Sequence, residues 1–160
     1  MVAPITLWRI AKDTPRYPAD DMGGGGAAAE GGRWNSKGVF VTYSATSIAL
    51  ATLETLAHLS DSIAARNRFL IKITVPMAVW KKRLTAEVAS LPKTWLTEPP
   101  GKSSTDYGDA WLTSKASAIL MVPSVIVHEE FNVLINPVHP DTKKITAEVV
   151  RQYVYDPRLK

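Results

Sequence analysis

Glu54 is the residue whose surroundings demand an explanation. Between Lys37 and Asp61 it is the only formally charged side chain, set among Ile48, Leu50, Leu53, Leu56, Leu59 and several alanines. Such a composition predicts a helix that is apolar on nearly every face and therefore buried. A buried carboxylate is costly unless it is paired or hydrogen-bonded, so a cation or a polar ligand should come to meet it. Arg9 and Arg33 are the nearest cations upstream. Each offers a planar fork that can hold two oxygens at once, and each can equally be an arginine in solvent. Gly31 and Gly32, just before Arg33, would let backbone approach a ligand closely.

Three further residues invite chemistry and admit plainer readings. Tyr43 ends an apolar, β-branched run, where its ring can serve as a stacking platform or as ordinary core. Ser124 interrupts an apolar run beside Pro123, a setting that also suits a turn serine bonding its own backbone. No Ser-His-Asp arrangement can be argued. His58 lies four residues after Glu54 and shares its helix face, but two ligands are too few for a metal and no H-E-x-x-H is present. No metal is expected.

The elements that position these residues follow from pattern. Residues 5–11 read as a strand carrying Arg9, whose plainer alternative is an edge-strand arginine in solvent. Residues 12–32 hold prolines, the run Gly23 to Gly26 and three alanines, without periodicity, and predict a flexible flap. The tract matches a loose G-x-G-x-x-A pattern, but no strand precedes it and no βαβ unit surrounds it, so a dinucleotide fingerprint is rejected. Residues 39–43 form a strand, and Thr46 or Ser47 caps the helix bearing Glu54. In residues 69–75, Phe69, Ile71, Ile73 and Val75 alternate with Leu70, Lys72 and Thr74, which is a strand ended by Pro76. Short elements fill 77–101, a helix spans 105–116, a strand broken at Pro123-Ser124 spans 118–127, and strands follow at 131–135 and 148–155. Six or seven strands and two clear helices, without β-α alternation, predict an α+β class in one domain over residues 1–160.

Composition sets outer bounds. With 160 residues, 46% of them hydrophobic, the chain can bury a real core, and it has no cysteine for disulfides or thiolate chemistry. No signal-peptide pattern and no long apolar run is visible, so a cytoplasmic protein without a membrane association is expected. The net charge of +4 is scattered, with only Lys81-Lys82-Arg83 clustered, and such a triplet without interleaved aromatics reads as a solvated face. Direct nucleic-acid binding is not expected.

Six pieces in order resemble one family: WRI at 8–10, GGRWN at 31–35, GVFVTYS at 38–44, ALATLE at 49–54, VPS at 122–124 and NVLINP at 132–137. From about Leu7 to about Leu159 the chain is similar to the RES-domain proteins, bacterial toxins of toxin–antitoxin pairs named for an arginine, a glutamate and a serine. The resemblance implies an ADP-ribosyltransferase-like fold, with two small, mainly antiparallel sheets around an NAD⁺ cleft and flanking helices. It implies NAD⁺ as substrate, with Glu54, Arg33 and Tyr43 as catalytic residues and Arg9, Arg33, Tyr43, Ser124 and Asn136 as nucleotide-binding residues. Arg9 and Arg33 would clamp phosphate or ribose, and Tyr43 would stack on nicotinamide or ribose. Glu54 would support a cation at the anomeric carbon, unless it is a structural ion-pair member. Ser124 would bond the nucleotide, and Asn136 would hold the site's backbone. The implied reaction cleaves the nicotinamide N-glycosidic bond by hydrolysis or phosphorolysis. The alternatives are mono-ADP-ribosyl transfer to a target protein and a catalytically silent binding module. The implied partner is a helix-turn-helix antitoxin of the Xre type.

Overall fold

The computed structural model describes residues 2–159. Its spine is an antiparallel ladder between β1 (Ile5–Lys12) and β3 (Arg68–Val75), in register from Ile5↔Val75 to Lys12↔Arg68. The alternation read from the sequence sets the two faces of β3. Ile71, Ile73 and Val75 join Leu7 and Ala11 in one core cluster, and Leu70 joins Ile10 on the other side. β7 (Thr146–Gln152) extends β3 as an exposed edge.

The other half of the sheet is built on β6 (Phe131–Ile135), which pairs antiparallel with both β2 (Thr42–Ala45) and β5 (Ile119–Pro123). A two-residue β4 (Leu84–Thr85) adds to β5 in parallel. The order is β4-β5-β6-β2-β1-β3-β7 in one seven-stranded sheet. β1 and β2 meet through the single register pair Trp8↔Ala45. The two sheets expected from the sequence are therefore the halves of one hydrogen-bonded sheet, joined at a point. β1 is flanked by β2 and β3, which removes the plainer alternative of Arg9 as an edge-strand arginine.

α2 (Ile48–His58) covers the joint. Ser47 caps it, its Oγ accepting from the Leu50 N–H at 3.1 Å. Only Leu50, Ala51 and Thr52 are buried, while Leu53 is 40% exposed, so the helix is a half-open wall rather than the fully buried rod its composition suggested. The C-terminal segment, expected to continue the last strand to 155, leaves the sheet after Gln152 and grips this helix. The Tyr153 hydroxyl lies 2.5 Å from the Thr52 hydroxyl, and Tyr155 donates to Thr55 Oγ1 at 2.7 Å.

The glycine-rich stretch is not a free flap. It contains a short helix α1 (Gly25–Glu30) entered through Gly24 at φ 77°. A Cβ on Gly24 would sit 2.5 Å from the Val41 amide nitrogen, so the residue supplies both a left-handed backbone and a close approach. Thr42 Oγ1 donates to the Met22 carbonyl at 2.9 Å, and the Gly38 N–H donates to the Ala28 carbonyl at 2.7 Å, which fastens the stretch to β2 and the turn before it.

α3 (Met77–Trp80) follows β3, and α4 (Lys102–Ser114) packs Trp111 and Leu112 onto a cluster with Trp34, Trp95, Leu120 and Leu134. Gly108 of α4 lies against the Trp34 backbone, where an added Cβ would fall 1.7 Å from the carbonyl oxygen. Gly108→Ala is therefore expected to cost about 3 kcal/mol or more, because backbone rather than a pliable side chain must give way. Thermal unfolding should show Tm lowered by roughly 6–12 °C, at the ~2–4 °C per kcal/mol usual for this size.

Candidate active site

A cleft of about 1050 Å³ lies over the joint between the half-sheets, lined by Trp8 and Arg9 of β1, Tyr43 to Ala45 of β2, Glu54 and Thr55 of α2, and Asn132 of β6. Asn132 stands opposite Ala45, which stands opposite Trp8, so the joint itself forms the floor.

Glu54 reaches into this cleft and accepts a hydrogen bond from Asn132 Nδ2. Of the cation or polar partner expected from the sequence it is a polar one that meets it: neither Arg9 nor Arg33 does, and among the described residues Glu54 takes part in no salt bridge. An amide donor satisfies one oxygen without cancelling the charge. The carboxylate is thus oriented while its negative charge stays available to the cleft.

Arg9 donates from Nη1 to the Asp21 carbonyl at 2.9 Å. Burial pushes the pKa of its guanidinium down and the Asp21 charge opposes this, but an arginine remains protonated. Arg33 is held more tightly: Nη1 donates to the carbonyls of Trp95 at 2.9 Å and Thr97 at 2.7 Å, and Nη2 pairs with Glu98 at 2.6 Å. Its side chain is 13% exposed and that of Glu98 is 74% exposed.

Tyr43 completes the set through its hydroxyl, which donates to Asn35 Oδ1 at 2.6 Å and accepts from the Trp34 N–H at 3.2 Å. Asn35 in turn donates to the carbonyls of Ala27 at 3.0 Å and Val39 at 2.9 Å. The space left by the missing side chain of Gly32 is taken by this network rather than by a ligand, since a Cβ there would lie 2.8 Å from the Tyr43 oxygen. Burial drives the Tyr43 phenol well above the ordinary tyrosine pKa.

Two expected ligand contacts are absent from the cleft lining. Ser124 is fully buried, and its Oγ accepts from the N–H groups of Ile126 at 3.1 Å and Val127 at 3.0 Å. It is the turn serine, and it shapes the wall formed by Pro123, Val125 and Ile126. Asn136 is also fully buried, donating to the Leu112 carbonyl at 3.0 Å and accepting from the Val138 N–H at 3.2 Å. It ties β6 to α4 and so supports the site's backbone without touching the cleft. His58 is exposed, its Nδ1 2.9 Å from the Glu54 carbonyl oxygen. Among the described residues no group of three His, Cys, Asp or Glu side chains could hold a metal ion.

With this geometry in place, comparison with known proteins decides the family. The sequence matches the RES domain over residues 6–157. The chain belongs to the RES-domain family of toxins. It is 49% identical over 154 residues to a protein of Sphingobium sp. (strain YBL2) named Prs ADP-ribosylating toxin, covering 96% of each chain. It is 36% identical to Toxin Res of Yersinia enterocolitica, over 98% of this chain and 100% of that one. A chain in the crystal structure of the M. tuberculosis MbcT–MbcA toxin–antitoxin complex superposes with a TM-score of 0.67 at 17% identity, over 92% of this chain and 85% of that one. That likeness shows a shared fold, the α+β, ADP-ribosyltransferase-like arrangement anticipated above.

This RES domain thus brings Arg9, Arg33, Tyr43 and Glu54 to one cleft and leaves Ser124 and Asn136 beneath its walls. Asn132 and Asn35 were not singled out from the sequence. The signal for Asn132 was present, as a lone amide in the apolar strand FNVLI.

Tyr43→Phe is expected to leave the Trp34 N–H and Asn35 Oδ1 without their partner, at a cost of about 1–3 kcal/mol in denaturant unfolding. A phenol whose pKa is raised by folding stabilises the protein fully below the ordinary value of about 10 and loses that contribution as pH rises toward the folded value. Stability of the parent should therefore fall above pH ~10, and the phenylalanine variant should lack that component.

Proposed function

We propose that this RES-domain toxin takes NAD⁺ as substrate and cleaves the bond between nicotinamide and ribose. The observation that carries this reading is the Glu54 carboxylate, oriented by Asn132 and unpaired with any cation among the described residues, in a cleft whose other walls bear Arg9, Arg33 and Tyr43. As the C–N bond breaks, nicotinamide leaves with the bonding pair and positive charge develops at the anomeric carbon. A fixed carboxylate stabilises that charge more than it stabilises the neutral ribose of the ground state. The arginines supply forks for the pyrophosphate, and Tyr43 supplies an aromatic face for nicotinamide or ribose. Ser124 and Asn136 act through the backbone they hold.

For the acceptor, the reading we favour is a protein side chain, because the Sphingobium relative at 49% identity is named an ADP-ribosylating toxin. The donor pocket serves water or inorganic phosphate equally well, and with either of these the outcome is loss of NAD⁺. Incubating the purified chain with NAD⁺ alone, with phosphate, and with a cell extract distinguishes the three. ADP-ribose, a phosphorylated ADP-ribose, or protein carrying the mass of ADP-ribose would be the respective product.

The function further implies a protein that restrains it. An antitoxin partner is supported by the likeness to a chain of the MbcT–MbcA complex, and a helix-turn-helix protein of the Xre type remains the proposal for its class. No helix among the described residues is long and apolar enough to cross a membrane, and action in the cytoplasm remains the proposal, as the compartment that supplies NAD⁺.

Glu54→Gln keeps the shape and the Asn132 contact on one oxygen while removing the charge. It is expected to retain the parent Tm and lose NAD⁺ cleavage at least about a hundredfold (~2.7–4 kcal/mol). Unchanged turnover per folded molecule would make Glu54 structural and sink the mechanism. Arg33→Lys retains charge but not the fork, and calorimetry should show weaker NAD⁺ and ADP-ribose binding.

A further inference from the structure

Beyond the four residues already placed, one corner of the cleft gathers basic side chains that are in no salt bridge among the described residues. Lys12 and Arg68 are directly opposite each other at the end of the β1–β3 ladder. Strand alternation puts Lys12 on the face of Ile10 and Arg68 on the face of Leu70, and both of those residues pack with Leu50 and Ala51 of α2. His58 ends that helix one turn beyond Glu54. All three basic residues line the cleft. Like charges facing across a ladder destabilise it, and among the described residues neither Lys12, Arg68 nor His58 is in a salt bridge.

The neighbouring carboxylates bond neutral donors, and among the described residues none is in a salt bridge with these cations. Asp13 accepts from the Ala19 N–H, Asp21 from the Gly23 N–H and Asp61 from the Ala64 N–H, while Glu54 is taken by Asn132. Glu30 also lines the cleft, as an exposed residue. Arg68 is meanwhile fixed in place, its Nε and Nη2 donating to the Ala64 carbonyl at 3.1 and 3.0 Å, which leaves Nη1 free to point a donor elsewhere. The carbonyl end of α2 favours cations at this corner and works against an anion, so an anion here would be held by the side-chain charges of Lys12 and Arg68 against that end of the helix.

We propose that Lys12, Arg68 and His58 form a second anion subsite of the cleft, which takes a phosphoryl group. The choice of a phosphoryl group over a carboxylate rests on the NAD⁺ reading above. The group has two possible sources, the phosphates of the bound dinucleotide or a separate inorganic phosphate, and the site's chemistry is the same for both.

The test titrates inorganic phosphate and ADP-ribose separately into the full chain and into Lys12→Gln and Arg68→Gln, by calorimetry. Arg68→Gln also removes the tie to Ala64, so Lys12→Gln is the cleaner variant: Lys12 is exposed, and its side chain makes no hydrogen bond among the described residues. Both variants are expected to weaken at least one probe about tenfold, the loss of one charge-assisted hydrogen bond. Weakened ADP-ribose binding assigns the subsite to the dinucleotide; weakened phosphate with unchanged ADP-ribose assigns it to a separate phosphate. If the parent binds phosphate but not ADP-ribose, and the variants lose the phosphate, the subsite stands and the NAD⁺ reading falls. Parent-like affinity of both variants for both probes, or no parent binding of either probe, overturns the subsite.

Discussion

The contact between Trp8 and Ala45 is the constraint from which the rest of the architecture follows. Seven strands in one order would ordinarily give a continuous twisted surface with helices on its faces. Here β1 engages β3 along its full length and β2 at one residue, so the halves are hinged at a point and part on either side of it. Backbone at such a joint still needs hydrogen-bond partners and apolar cover. α2 supplies the cover with Leu50 and Ala51 against Ile10, Ala45 and Leu70. The same helix carries Glu54 to the gap, where Asn132 of the next strand meets it. The cleft is therefore a product of incomplete strand pairing, and the carboxylate is brought to it by the element that repairs the defect.

Polar residues keep the gap from closing into core. Asn35, Tyr43 and the Trp34 amide form a network in which each strong group has a partner, and Asn35 also ties α1 and the turn before β2 to it. A satisfied network of this kind is rigid, since moving one member leaves another unpaired in a low-dielectric setting. On the far side, Tyr153 and Tyr155 bond Thr52 and Thr55, the residues that bracket Glu54 on its helix. The carboxylate is oriented by an amide, and the helix that carries it is held by two phenols.

What could be read in the sequence was what depends on neighbours in the chain. The alternation in residues 69–75 gave the faces of β3, the run Phe131 to Ile135 gave β6 to the residue, and the solitary charge of Glu54 marked the site. What could not be read depends on partners far apart. Asn132 lies 78 positions from Glu54, and Arg33 finds its carbonyls 62 and 64 positions away, so no spacing rule connects them. The short helix at Gly25 runs against glycine's low helix propensity and exists because the stretch is pinned to Val41 and β2. Ser124 matched a family pattern in type and position, yet its hydroxyl is spent on two backbone amides of its own turn. The motif fixes where that serine sits and not what it touches.

In the proposed function the two arginines of the cleft would divide the work of meeting an anion. Arg9 is half-buried, held by one N–H to a carbonyl, and keeps its remaining donors uncommitted. Taking that charge out of water is costly, and an anion entering the cleft recovers part of the cost by replacing the lost solvation. Arg33 is oriented by two carbonyls but already has an anionic partner, Glu98. That partner is mostly in solvent, where an ion pair contributes little because water and salt compete for both charges. Releasing Glu98 to water therefore costs little, and the fork it vacates is already aimed by the Trp95 and Thr97 carbonyls. An incoming phosphate would meet one arginine that is in no salt bridge among the described residues and another whose ion-pair partner is readily given up, so neither has to be reoriented at the moment of binding.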